Sequence, residues 1–201
     1  MRLRMMAMGL AMGACCAMGV GPVTAGAQMM AMKAKTDAGP VAPAKAVDEL
    51  MNLFEHEAMG VAQAMPADKY NFAPTQTIFA QGQAVKFDTV RTFAQQVMHV
   101  AEANYYFYSV VGGMKPDVDT KTLEGITTKD EAVEALAASF RFAHKAIATI
   151  TPTNAFVAIK PVDGMNTRVS IATFGVAHGY DHYGQLVEYL RMNGVVPPGS
   201  K

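Results

Sequence analysis

The sequence predicts an all-α protein, a four-helix bundle of about 20- to 30-residue helices preceded by a secretory signal peptide. Three observations predict it. Apolar residues recur at three- and four-residue spacing in four long stretches, the period of a helix with one buried face. Each stretch is bounded by helix-stopping glycine or proline, or opened by a threonine suited to capping. No series of alternating apolar and polar residues competes as strands.

Residues 1–27 stand apart from the bundle. "MRLR" is a basic head, "MMAMGLAMGACCAMGVG" is apolar but short for a bilayer span, and "AGA" at 25–27 supplies small residues for cleavage. Gln28 is then the mature start, with acylation of Cys15 or Cys16 as the lipoprotein alternative. Cleavage removes both cysteines, so disulfide, thiol and thiolate chemistry all go. It also removes Arg2 and Arg4, leaving 15 basic and 17 acidic residues and a net charge of −2. Export without cysteines suggests a bacterial periplasmic or secreted protein, with no membrane span after cleavage. The absence of a basic cluster beyond the first four residues argues against nucleic acid as a partner.

Residues 28–42 read as a flexible leader, and 43–200 as the bundle domain. The first helix starts near Ala44 behind Pro43, carries the stripe Val47, Leu50, Phe54, Ala58, Val61, and stops at Met65–Pro66. After a connection with two prolines, Thr89 is the expected N-cap of a second helix, which reaches Val110 and ends at Gly112–Gly113. Thr128 and Glu131 form a capping-box pattern for a third helix running to about Thr151 before Pro152. "TNAFVAIKPVDG" reads as a loop with a short extended piece. The fourth helix is expected from about Met165 to Asn193, stopped by Gly194 and "VVPPGS".

Residues 28–201 contain five histidines. His56 and His144 have no partner at ligand spacing and are expected to be solvated or hydrogen-bonded. His178 and His182 lie four apart, so both imidazoles share one helix face a turn apart. They fall within the stripe Ile171, Phe174, His178, His182, Leu186, Tyr189, where burying an imidazole is costly unless it finds a partner. A metal ion and a dense hydrogen-bond network would each offset that cost, and the spacing alone does not choose between them.

His99 lies on a second helix that is apolar around most of its circumference, and it could close a three-nitrogen site with open positions. Its own stripe includes Gln95, Gln96, Ala103 and Tyr106, so it is expected to face a groove. Imidazoles without thiolates suit zinc, nickel or copper, whereas calcium and magnesium want clustered oxygens. Asp181 and Gln185 are candidate orienters of the imidazoles, and Glu102 is expected on a solvated face. Tyr105, Tyr106, Tyr108, Tyr180 and Tyr183 read as packing residues with polar tips.

"MPADKYNFAPT", "FAQQVMHVAEANYYFYS" and "HGYDHYGQLVEYLRMNGVVPPGS" together resemble the DinB-like family of bacterial four-helix bundles. The last segment carries the resemblance furthest, since HxxxH, "YGQL" and the "VPP" tail occur in order. The family includes metalloenzymes and is related to thiol-dependent S-transferases and maleylpyruvate isomerases. The resemblance implies a metal triad of His99, His178 and His182, with zinc or nickel as the divalent ion. Many members are homodimers, which makes a homodimer one expected assembly.

Three functions follow as expectations. The first is a metal-dependent hydrolase or transferase acting on a small molecule. The second is a non-catalytic metal- or small-ligand-binding bundle of the cell envelope. The third is a metal-free bundle whose histidines bond to one another.

Overall fold

The computed structural model describes residues 39–200, except 79, 80, 84, 85 and 88. The expected signal peptide and most of the expected leader lie outside the described residues. Helix α1 (Pro43–Ala64) opens on proline, whose missing N–H costs nothing in a first turn. It ends where Met65 turns extended ahead of Pro66. Its buried face is Val47, Met51, Phe54, Ala58, Val61 and Ala62. Leu50, expected in this stripe, is instead 37% exposed. Met51 takes the slot because the 47–51–54–58 spacing follows the contact line more closely.

Helix α2 (Phe93–Gly112) is capped by Thr92, not Thr89. The Thr92 side chain accepts from the Gln95 N–H, and the Gln95 side chain accepts from the Thr92 N–H. Of the two threonines, only Thr92 has a glutamine three residues on, which is what a capping box requires. The connection before α2 is tied in by its backbone: Phe72 and Tyr70 carbonyls accept from Phe93 and Ala94 N–H at 2.8 Å each. These bonds satisfy donors that a helix start otherwise leaves free. Gly113, in the left-handed region at φ 62°, ends the helix.

Helix α3 (Lys129–Ile147) begins after Thr128, whose hydroxyl donates to Glu131 Oε2 at 2.5 Å without capping the backbone. It stops short of the expected Thr151. The Thr149 and Ile150 N–H groups bond three residues back, and Asn154 Oδ1 accepts from the Thr151 N–H, so the chain turns away.

The segment expected as a loop is an antiparallel hairpin, β1 (Ala158–Val162) and β2 (Met165–Thr167). Asp163 at φ 47° and Gly164 at φ 83° form its turn, as the Asp-Gly pair favours. The pairing is irregular along β1, where Pro161 cannot donate to the ladder. Met165 and Thr167 are thereby used as strand, and α4 (Arg168–Met192) starts at a Thr167–Ser170 capping box. It ends in a Schellman motif: Gly194 N–H bonds to Arg191 O and Val195 N–H to Leu190 O. Pro198 beyond it packs 3.6 Å from where a Gly60 side chain would begin.

Within the compact unit of residues 40–201, α2 packs on α3 and α4, and α1 packs on the same two. The pairs α1/α2 and α3/α4 thus lie across diagonals, which explains their long connections. Helix α2 is buried on most of its circumference, as its all-round apolar sequence predicts. No described helix is long and apolar enough to cross a membrane.

Candidate metal centre

Helices α2 and α4 bring His99, His178 and His182 together. One ring nitrogen from each lies within 4.8 Å of the others. The ring centroids of His99 stand 4.5 Å from His182 and 5.4 Å from His178, and those of His178 and His182 are 4.6 Å apart. His182 is buried, while His99 and His178 are half-buried. The α4 face is held in place by tight packing: Phe54 fills the space above Gly179, and Tyr108 donates to the Ala172 carbonyl at 2.7 Å.

The spacing fits a metal ion. His178 Nε2 and His182 Nε2 are 3.2 Å apart. Tetrahedral zinc with bonds near 2.0–2.1 Å separates its nitrogen ligands by about 3.3 Å. The protonation state fits as well. Burial, with Arg91 and the two neighbouring histidines, lowers His99 to about 4. Burial and His178 lower His182 to about 4. Burial also lowers His178, against the opposing pull of Asp181 and Asp163. All three rings are therefore neutral at pH 7, each with one ring nitrogen unprotonated.

His99 opens onto a cavity of about 440 Å³ lined also by Arg91, Gln95, Met98, Glu102 and Glu124. The expected groove is there, and it is polar and charged. Phe107 and Phe174, which are not among the residues lining this cavity, meet the His178 ring at 5.6 and 6.5 Å and form an apolar wall against it.

The supporting residues differ in part from expectation. Glu102 is not on a freely solvated face: its Oε2 lies 3.8 Å from His99 Nδ1, and burial and Glu124 raise its pKa. Asp181 acts on the histidines through its charge and is linked to His182 by Gln185, whose Nε2 donates to Asp181 Oδ2 at 3.2 Å and lies 3.5 Å from His182 Nδ1. Gln96, read in the sequence only as a neighbour of His99, is the direct partner, with Nε2 3.2 Å from His182 Nδ1. A glutamine one turn before His99 inside an apolar run was the available signal.

Arg91 and Glu124 had no signal at all, because they enter from a connection and from the 3-10 turn Thr120–Gly125. Tyr106 is 54% exposed and does not pack as expected. His56 is exposed. His144 lies between Asp48 and Glu55 of α1 and does not join the cluster.

No match is found among the curated proteins. The family model of the DinB superfamily matches residues 51–186, more than half of the chain and a span that includes all three histidines. The chain belongs to the DinB superfamily.

Proposed function

We propose that this protein binds one divalent metal ion, zinc or nickel, through His99, His178 and His182, and uses it in hydrolysis or group transfer on a small molecule. The observation that carries the reading is the convergence of three neutral ring nitrogens beside an open cavity. The only group of metal-ligating type found among the described residues contains three members, so a fourth position is left for water or substrate. A bound ion there would supply Lewis acidity and lower the pKa of coordinated water.

The chain's own residues have separable tasks. His99, His178 and His182 hold the ion, and Phe107 and Phe174 keep water from one side of the site. Arg91 offers a cation to an anionic group entering the cavity, while Glu102 and Glu124 favour a cationic or hydrogen-bond-donating one. Glu102, with its raised pKa, is placed to hold a proton beside His99. Residues 1–27 carry the export signal, so the site works outside the cytoplasm, as a monomer or a homodimer.

The second reading is a metal-free network. Its support is that Gln96 Nε2 points at His182 Nδ1, which leaves the His182 proton on Nε2 and aimed at His178 Nε2.

Elemental analysis decides between them. The protein is purified without a histidine tag or added metal, beside the His182→Ala variant. Near-stoichiometric zinc or nickel in the parent and loss of most of it in the variant is the expected result. No metal in either, even after incubation with zinc, overturns the proposal and leaves the network.

A further inference from the structure

Gln96 reaches from α2 to within hydrogen-bond distance of a ring nitrogen of α4 in this cluster, and its amide is only half used. The residue is 1% exposed. Its Nε2 donates to Gln185 Oε1 at 2.5 Å and stands 3.2 Å from His182 Nδ1. Its Oε1 is buried and has no hydrogen-bond partner. Buried amide oxygens are rarely left so, and each asks for a reason.

The ring chemistry supplies one. An imidazole that gives Nε2 to an ion must carry its proton on Nδ1, and that proton needs an acceptor. With Gln96 Nε2 facing Nδ1, His182 has its proton on the wrong nitrogen for this. Rotating the Gln96 amide by half a turn places the unpartnered Oε1 against Nδ1. Gln185 Nε2, 3.5 Å from Nδ1, is close enough to follow and donate to that oxygen. In this exchange Gln185 gives up its Oε1 contact with Gln96 Nε2, trading it for the new bond to Gln96 Oε1. It also gives up its Nε2 bonds to Asp181, which is exposed, so water replaces those.

We propose that Gln96 is a positioning residue whose amide sets the tautomer of His182: nitrogen toward Nδ1 without metal, oxygen toward Nδ1 when Nε2 binds the ion. The inference rests on the three-histidine reading, but its first half concerns the metal-free protein alone.

The test uses zinc titration against a chromophoric chelator and long-range ¹H–¹⁵N spectra of the histidine rings. The metal-free parent shows His182 protonated at Nε2, and zinc moves the proton to Nδ1. Gln96→Leu weakens zinc binding by about 10- to 100-fold and abolishes the tautomer preference. Gln96→Glu, an acceptor only, puts the proton on Nδ1 before zinc is added and restores affinity relative to Gln96→Leu. Thermal melts of both variants report folding separately. Parent-like tautomer and affinity in Gln96→Leu, or no movement of the proton in Gln96→Glu, overturns the proposal. If the parent takes up no zinc, the metal reading fails, and the metal-free spectra of the parent and Gln96→Glu still decide the role of Gln96.

Discussion

The ring of Phe54 occupies the place where a side chain on Gly179 would stand: a Cβ there would lie 2.2 Å from Phe54 Cζ and 2.5 Å from Cε1. The ring cannot easily retreat, since Phe140 and Tyr180 meet it at centroid distances of 5.4 and 5.1 Å. Alanine gains helix propensity over glycine, but overpacking a filled core costs about 1–3 kcal/mol. Gly179→Ala should therefore lower the melting temperature, by about 2–4 °C for each net kcal/mol lost. Gly184 on the same helix is exposed, and a Cβ there meets nothing within 4 Å. Gly184→Ala should stabilise by about 0.5–1 kcal/mol. Thermal melts of the two variants check both signs, and two stabilised proteins would refute the packing argument.

The start of α2 gives a second contrast. Thr92→Ala removes the oxygen that accepts from the Gln95 N–H, and should cost about 1 kcal/mol. Thr89→Ala, three residues earlier in an exposed turn, should stay within about 0.5 kcal/mol. Urea titrations measure the difference. Equal losses would mean that the cap is not where the Thr92–Gln95 box puts it.

His144 lies with Nδ1 2.5 Å from Asp48 Oδ1 and Nε2 3.0 Å from Glu55 Oε2. Burial pulls its pKa down, but the hydrogen bonds to Asp48 and Glu55 outweigh it, and the net shift is upward. A raised folded-state pKa means that the folded protein holds this proton more tightly than the unfolded chain. The stabilisation is fully present below about 6.5, the unfolded value, and is lost as pH rises through the folded value. Asp48 is 41% exposed, so solvent screening holds the effect to about 1 kcal/mol. His144→Gln should show its largest loss relative to the parent near pH 6 and a smaller one at pH 9. A pH-independent difference would assign His144 to packing alone.

Most of the fold was legible because helix period and stop signals are local. Gly113, Gly194 and Pro66 end their helices where a chain with those residues must turn. The hairpin was not legible, since strands of five and three residues are too short to show alternation and Pro161 interrupts one of them. Only the Asp163–Gly164 pair marked it. The site divides in the same way. The spacing of His178 and His182 is a property of one helix and is visible in sequence, whereas the approach of Gln96, Arg91 and Glu124 depends on inter-element register. Nothing in a single sequence states which residue of α2 meets which residue of α4, so His99 had to be joined to the pair by burial and family resemblance.

The lowered histidine pKa values make a last prediction about metal binding itself. Ordinary imidazoles, with pKa near 6.5, lose metal affinity to proton competition as soon as pH falls below neutrality. Here burial, together with nearby Arg91 and the neighbouring rings, brings His99 and His182 to about 4, and burial lowers His178 too. Protons then compete poorly at His99 and His182 until the pH approaches that value. Zinc affinity measured by chelator competition should change little between pH 7 and about pH 6, then fall steeply toward pH 4. The same shifts act on the metal-free fold with a definite sign. A folded-state pKa below the unfolded one stabilises above about 6.5 and is lost as pH falls toward 4, because the unfolded chain binds the extra protons. Acid should thus destabilise the metal-free protein and strip the metal over one common window. A steep loss of affinity beginning near pH 6.5 would instead show three solvent-like imidazoles, and would count against a buried, preorganised centre.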